Sequence, residues 1–224
     1  MQMKTGVLFS GGKDSMYASF LAKENGHTLS ALLTMDSQNL ESYMFHTPSI
    51  TQVKKQAEVM NTPLIIKETK GEKEIELKDL IQLIQQAKQQ YNIQAIVTGT
   101  VESIYQSTRI QTICDNLDLE CFNPLWQKNQ IELLHDLIKN NFKILITGVF
   151  AYPLTKEWVG KIINESLIKE VINLNEKYCI NPAGEGGEFE SFVLNCPLFS
   201  RPLTIKEKKI TGNKNSWTME IDVI

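Results

Sequence analysis

Cysteine is scarce in this sequence: four in 224 residues, Cys114, Cys121, Cys179 and Cys196, with no C-x-x-C pair among them. That leaves no metal cluster or redox motif to read, and no disulfide scaffold at this length. Free thiols in a reducing cytoplasm are the expectation. Long apolar runs are missing too. Val7-Leu8-Phe9 is far too short for a signal-peptide core or a membrane span, and no later apolar stretch approaches the length of a span. No membrane association and a cytoplasmic location are expected. Charge of one sign is also lacking, because 23 Lys+Arg face 26 Asp+Glu for a net −3. A dedicated nucleic-acid binder needs a basic surface for phosphate, so strong nucleic-acid binding is not expected. What remains is 42% hydrophobic and 22% charged, the balance of an ordinary globular protein with enough chain for a real core.

The first half alternates short apolar runs with amphipathic segments. Strands are expected at residues 5–9, 28–34, 63–67 and 95–98, and helices at 15–25, 50–60 and 74–90. Strands separated by helices of this length imply right-handed βαβ crossovers. The result is a doubly wound, mainly parallel sheet covered on both faces. Helices near 104–117 and 131–140, a short strand near Cys121 and a strand at 142–150 follow. A helix is expected at 162–174 and a strand at 191–196, and the last twenty residues read as a hairpin turning at 212–216. The texture changes from Tyr178, and the boundary between the α/β layer and the α+β remainder is expected near Pro124. Residues 1–123 are expected to form a nucleotide-binding α/β domain, and residues 124–224 a smaller α+β part for substrate recognition.

The sharpest feature is Ser10-Gly11-Gly12-Lys13-Asp14-Ser15, placed between the first strand and the first helix. A helix N-terminus offers unpaired N–H groups and the positive end of a dipole, so anions bind there. Two glycines let backbone curl around phosphate oxygens. Ser10 and Ser15 add hydroxyls, Lys13 adds a charge, and Asp14 can cap the helix or help hold magnesium. The spacing is not that of a Walker A loop, since Gly12 stands where lysine is needed, nor is it G-x-G-x-x-G.

The six residues resemble the pyrophosphate-binding loop of the N-type ATP pyrophosphatases, whose fold is adenine-nucleotide α-hydrolase-like. Three further segments narrow the likeness. They are Ser42-Tyr43-Met44-Phe45-His46-Thr47-Pro48, the stretch from Gly99-Thr100-Val101-Glu102 to Tyr105 and Arg109, and Asn181-Pro182-Ala183-Gly184-Glu185-Gly186-Gly187-Glu188-Phe189-Glu190-Ser191. With Pro124-Leu125-Trp126 they resemble the diphthine–ammonia ligase family, over residues 4 to about 199. The family usually carries Gly-Leu soon after the central strand; this chain has Tyr152-Pro153-Leu154.

The resemblance implies an ATP-dependent ligase that amidates diphthine, a modified histidine of translation elongation factor 2. ATP and Mg2+ are the implied cofactors, ammonia the nitrogen donor, and an acyl-adenylate the intermediate, with AMP and pyrophosphate released. No glutaminase machinery is visible: Gln2 stands where an N-terminal nucleophile would need cysteine, and no spare domain is expected. A homo-oligomer is compatible with the chain.

The residues agree with that reading. In a doubly wound sheet, ligands sit beyond the carboxyl ends of the strands, where residues 10–15, Thr34, Met35, Gly99, Thr100 and Glu102 all fall. Thr34 and Met35 can meet an adenosine, and Gly99 permits close approach. The acidic loop of Gly184, Glu185, Gly186, Gly187, Glu188 and Glu190 repels phosphate and suits a cation. Diphthine carries a quaternary ammonium, so these carboxylates, with Phe189, Phe192, Tyr152 or Trp158, can attract it. Glu188 or Glu102 can take a proton from ammonium. Bland readings stand beside these. The glutamates can be a solvated turn, and His46 a helix-entry cap. Tyr105 and Arg109, four apart on one helix face, can clamp substrate or simply stack. Other acceptors also remain open: a small-molecule acid, or tRNA. Thiolation of tRNA would call for paired cysteines, and Cys114 and Cys121 meet only if the chain between them folds back. A non-catalytic nucleotide-binding module is disfavoured by the intact Lys13, Asp14 and Ser15.

Overall fold

The computed structural model describes residues 2–37 and 50–224. Packing divides them into two compact units: Met1–Ser10 with Asp14–Trp126, and Gly11–Lys13 with Gln127–Ile224.

The first unit is an α/β layer. Its strands β1 (Lys4–Leu8), β2 (Thr28–Ser37), β3 (Leu64–Thr69), β4 (Ala95–Val97) and β5 (Glu120–Phe122) form one sheet in the order β3-β2-β1-β4-β5. Every pairing is parallel. Helices α1 (Lys13–Glu24), α2 (Ile50–Val59), α3 (Lys73–Tyr91) and α4 (Ile104–Asn116) make the crossovers. From β1 the chain builds β2 and β3 on one side, then β4 and β5 on the other. The switch between β1 and β4 opens the crevice in which sheets of this kind hold ligands. Leu33, Leu80, Leu83, Ile84, Ile96 and Ile110 are buried together in the core, with α3 supplying an apolar stripe at helical spacing.

The second unit is α+β. Strands β6 (Lys143–Val149), β7 (Phe189–Asn195), β8 (Ile205–Asn213) and β9 (Ser216–Val223) form an antiparallel sheet, ordered β7-β6-β9-β8. Helices α5 (Gln130–Lys139) and α6 (Glu165–Tyr178) belong to this unit, each capped by asparagine. Asn129 accepts from the N–H groups of Ile131 and Glu132, and Asn164 from that of Leu167. The helix expected at 162–174 therefore starts three residues later. Ile162 instead bridges Leu145 of β6, so its apolar side chain belongs to a strand pairing and not to a helix face. Among the described residues no helix is long and apolar enough to cross a membrane.

Candidate nucleotide and acceptor site

Residues 10–15 leave β1 and enter α1, as the strand–loop–helix pattern requires. Gly11 sits at φ 78°, a conformation glycine reaches without strain. The Ser15 hydroxyl accepts from the Ser10 N–H at 3.2 Å and lies 3.1 Å from the Ser10 hydroxyl. Two side-chain donors thus stand together at the start of the helix. Gly99, at the end of β4, closes on the same turn. A Cβ there would lie 2.6 Å from the Asp14 carbonyl carbon and 2.7 Å from the Ser15 nitrogen. Gly99 is glycine because another backbone occupies the space of its side chain. Beside it the Thr98 and Thr100 hydroxyls share a 2.9 Å hydrogen bond, both residues buried.

The other nucleotide candidates are placed by packing. Thr34 donates its hydroxyl to the Phe9 carbonyl at 2.7 Å, and Met35 lies within the core of the sheet. Glu102 is exposed in the turn before α4. On α4 the Arg109 guanidinium stacks over the Tyr105 ring at 3.4 Å, and its buried Nε has no hydrogen-bond partner among the described residues. Tyr43 and His46 lie outside the described residues.

The middle of the phosphate-type loop is held by the second unit's own edge strand. The Gly11 carbonyl accepts from the Val193 N–H, and the Lys13 N–H donates to the Ser191 hydroxyl, both at 3.2 Å. The Lys13 ammonium lies 3.1 Å from a Glu185 carboxylate oxygen and 6.0 Å from the centre of the Phe189 ring. Side-chain exposures of 5% for Lys13 and 15% for Glu185 make this a nearly buried ion pair. An ammonium this dry requires an anion beside it. The cation that the acidic loop attracts within the folded chain is therefore the lysine of the glycine-rich loop, a pairing across 172 positions that charge patterning alone does not reveal.

The acidic loop is stitched by its own members. Glu188 accepts the Asn181 N–H on one carboxylate oxygen and the Gly186 N–H on the other, at 3.0 and 2.9 Å. Gly184, at φ 77°, donates its N–H to the Asn181 carbonyl and accepts that of Gly187. Gln130, buried at the start of α5, fixes the loop from outside. Its carboxamide accepts from the Ala183 N–H at 2.8 Å and donates to the Asn181 side chain at 3.1 Å. Sequence reading missed Gln130, Asn181 and Ser191 as supports; a polar residue on the apolar face of α5 was the one signal present. Glu190, on β7, pairs across from Gly148. Three aromatic residues expected near a cation, Phe189, Phe192 and Trp158, are buried.

Cys114 and Cys121 do meet, because the chain turns back after α4: the Leu119 N–H bonds the Cys114 carbonyl at 3.0 Å. A hydrogen bond between the thiols holds Cys121 below the ordinary range, while that bond and burial push Cys114 far above it. Cys114 is wholly enclosed in the core beside Ile110 and Leu119. A thiol that is dry and protonated is no nucleophile.

Residues 3–121 match the model of the diphthamide synthase N-terminal domain, and residues 129–223 that of the C-terminal domain. The diphthine–ammonia ligase of Rattus norvegicus is 32% identical over 222 residues, covering 91% of this chain and 83% of the relative. That of Homo sapiens is 31% identical over 227 residues, covering 93% and 85%. A solved structure described as a predicted subunit of tRNA methyltransferase from Methanocaldococcus jannaschii is similar at a TM-score of 0.45. It shares 16% identity and covers 87% of this chain and 98% of that one. The chain belongs to the diphthamide synthase family and is an ATP-dependent ligase.

Proposed function

We propose that this protein joins ammonia to the carboxylate of diphthine on translation elongation factor 2. In this reading it consumes ATP, passes through an acyl-adenylate, and releases AMP and pyrophosphate. Residues 1–123 bind the nucleotide, and residues 124–224 recognise the acceptor. The observation that carries the reading is the buried ammonium of Lys13 in a glycine-rich loop at a helix N-terminus, held at 3.1 Å by Glu185 of the acidic loop. The relatives named above act as diphthine–ammonia ligases, which supports the choice of acceptor.

The chemistry asks little of the protein beyond position and charge. An acceptor carboxylate is already ionised, so it attacks the α-phosphorus without a general base. Charge then grows on the leaving pyrophosphate. Lys13, the paired hydroxyls of Ser10 and Ser15, and the α1 N-terminus are aimed where that charge develops. A triphosphate gives Lys13 a more highly charged partner than Glu185, so nucleotide binding would loosen the ion pair. Asp14, in the first turn of α1, is the carboxylate that would help hold Mg2+. One or two carboxylate oxygens completed by phosphate and water suit this hard, strongly hydrated cation, which would neutralise phosphate charge when bound. Ammonium must lose a proton before it attacks. Glu188 and Glu102 are the two carboxylates assigned to this proton transfer.

The test follows the nitrogen. With ATP, Mg2+ and isotopically labelled ammonium, label should enter a carboxamide on diphthine-bearing elongation factor 2. Label found only in small acids would overturn the protein acceptor. No ATP-dependent label in any acid would overturn the assignment of the reaction.

A further inference from the structure

We infer that Cys121 is a site of oxidation by peroxides and that Cys114 closes on it, so that the two thiols become a disulfide joining α4 to β5. The inference is independent of the ligase reading. Cys114 stands near the end of α4 and Cys121 in the middle of β5. The chain between them is already folded back. The Cys114 carbonyl accepts from the N–H groups of Leu117, at 3.1 Å, and Leu119, at 3.0 Å, and Asp118 takes a left-handed φ of 55° within the reversal. On the strand side, Cys121 pairs in register with Ile96 of β4. Ile96 and Cys114 belong to one core cluster, and Cys121 packs against it. Helix and strand thus present one thiol each to the same place, where the two share a hydrogen bond. Sulfurs in such contact need to close only about 1–2 Å more to reach bonding distance. Among the described residues no third metal-ligating side chain joins the pair, so its chemistry is that of a dithiol.

The two thiols are unequal, and the inequality sets the order of events. Cys114 is wholly buried, whereas Cys121 is half-buried on the last strand of its sheet. A small oxidant therefore reaches Cys121 first. The hydrogen bond from Cys114 holds the Cys121 thiol below the ordinary range, against its own burial and the charge of Asp115. That carboxylate is exposed and takes a 2.8 Å hydrogen bond from the Gln111 side chain, so water screens it. Thiolate is the form that attacks. In the first step the Cys121 sulfur bonds one peroxide oxygen and the O–O bond breaks. The departing hydroxide takes up the proton that Cys121 has shed, leaving a sulfenic acid and water. In the second step the Cys114 sulfur bonds the Cys121 sulfur and the S–O bond breaks. The hydroxyl leaves as water with the Cys114 proton. Two thiols and one peroxide give one disulfide and two waters, with two electrons passing from sulfur to oxygen. Cys114 starts nothing by itself; it answers an electrophilic sulfur already beside it.

The remaining cysteines make the inference easy to break. Cys179, at the end of α6, is exposed, so access alone would favour its oxidation. Cys196 is buried, and burial pushes its thiol up to about 12. The test treats the full chain with hydrogen peroxide and reads unreduced peptides by mass spectrometry. A disulfide between residues 114 and 121 should form first, with loss of two hydrogens and no change of oligomeric state, and dithiothreitol should restore both thiols. Cys121→Ser should leave Cys114 unmodified. Cys114→Ala should stop Cys121 at a sulfenic acid, captured by dimedone, and slow its formation about fivefold because the hydrogen bond is lost. Cys114→Ser, which keeps a hydrogen-bond donor, should trap the same sulfenic acid without that slowing. Oxidation of Cys179 ahead of Cys121 would overturn the inference. So would a wild-type Cys121 that proceeds to sulfinic acid while Cys114 stays untouched, or a crosslink that forms only in denaturant.

Discussion

The two glycine-rich loops are built on different plans. The loop at residues 10–15 adds outside support to its own Ser10–Ser15 bonds: Gly99 closes against its turn, and β7 holds Gly11 and Lys13 through Val193 and Ser191. The acidic loop is stitched largely by its own members, with Glu188 bonding the N–H groups of Asn181 and Gly186 and Gly184 and Gly187 closing turns, while Gln130 fixes Asn181 and Ala183 from outside. Borrowed support keeps backbone and cation in a set place, which suits a fixed triphosphate. Internal staples fix the second loop chiefly through its own backbone N–H groups. The ion pair of Lys13 with Glu185 joins the two loops.

Cutting that pair should give the largest effect. Lys13→Ala should reduce AMP formation by at least about 100-fold, as loss of a charge aimed at a developing anion does. It should also cost on the order of 3 kcal/mol of stability, because Glu185 keeps its nearly dry position without a partner. Unchanged turnover would remove Lys13 from the chemistry. Gly99→Ala comes next. The new methyl meets backbone 2.6 Å away, so α1 or β4 must shift. About 1–3 kcal/mol of stability should be lost in thermal unfolding, with the ATP KM rising. If the ATP KM held steady, external support would not matter to the first loop.

Glu188→Gln addresses the other plan. One carboxylate oxygen becomes an NH2 that faces a backbone N–H, so one staple opens. Acceptor-dependent turnover should fall roughly tenfold with ATP binding intact; a raised ATP KM instead would show the loops are not independent. The last prediction concerns Cys196, just past the end of β7 and outside both loops. Burial raises its thiol from 9.0 to about 12, so the folded protein keeps a proton that the unfolded chain sheds. Stability should therefore decline as pH climbs from about 9 to about 12, and not below. Cys196→Ala should flatten that decline in unfolding measured across the range; an identical decline would place its origin elsewhere.

Much of this was legible in the sequence. The parallel order of the sheet follows from strands alternating with helices, and the loop at residues 10–15 stands where strand, glycines and helix meet. Identity of type was legible; identity of partner was not. The acidic loop was read as seeking a foreign cation, yet Glu185 meets Lys13 within the chain, because a sequence shows charges without showing which fold beside each other. Phe189, Phe192 and Trp158 have the chemistry to meet a cation but lie in the core, whereas Tyr178, an ordinary helix-end residue by pattern, is exposed. Gly99 was expected to permit close approach, and the backbone of residues 14 and 15 is what packs against it within the chain. Ile162 and Ile163 continued an apolar periodicity that Asn164 interrupts with a cap.

The nucleotide products test the central claim most directly. Phosphorus NMR of the wild-type chain with ATP, Mg2+, ammonium and diphthine-bearing elongation factor 2 should show AMP and pyrophosphate rising together in equal amounts. Lys13→Ala under the same conditions should show neither. ADP and inorganic phosphate from the wild type would contradict the account, because they would place the attack at the γ-phosphorus and leave the acceptor without an adenylate.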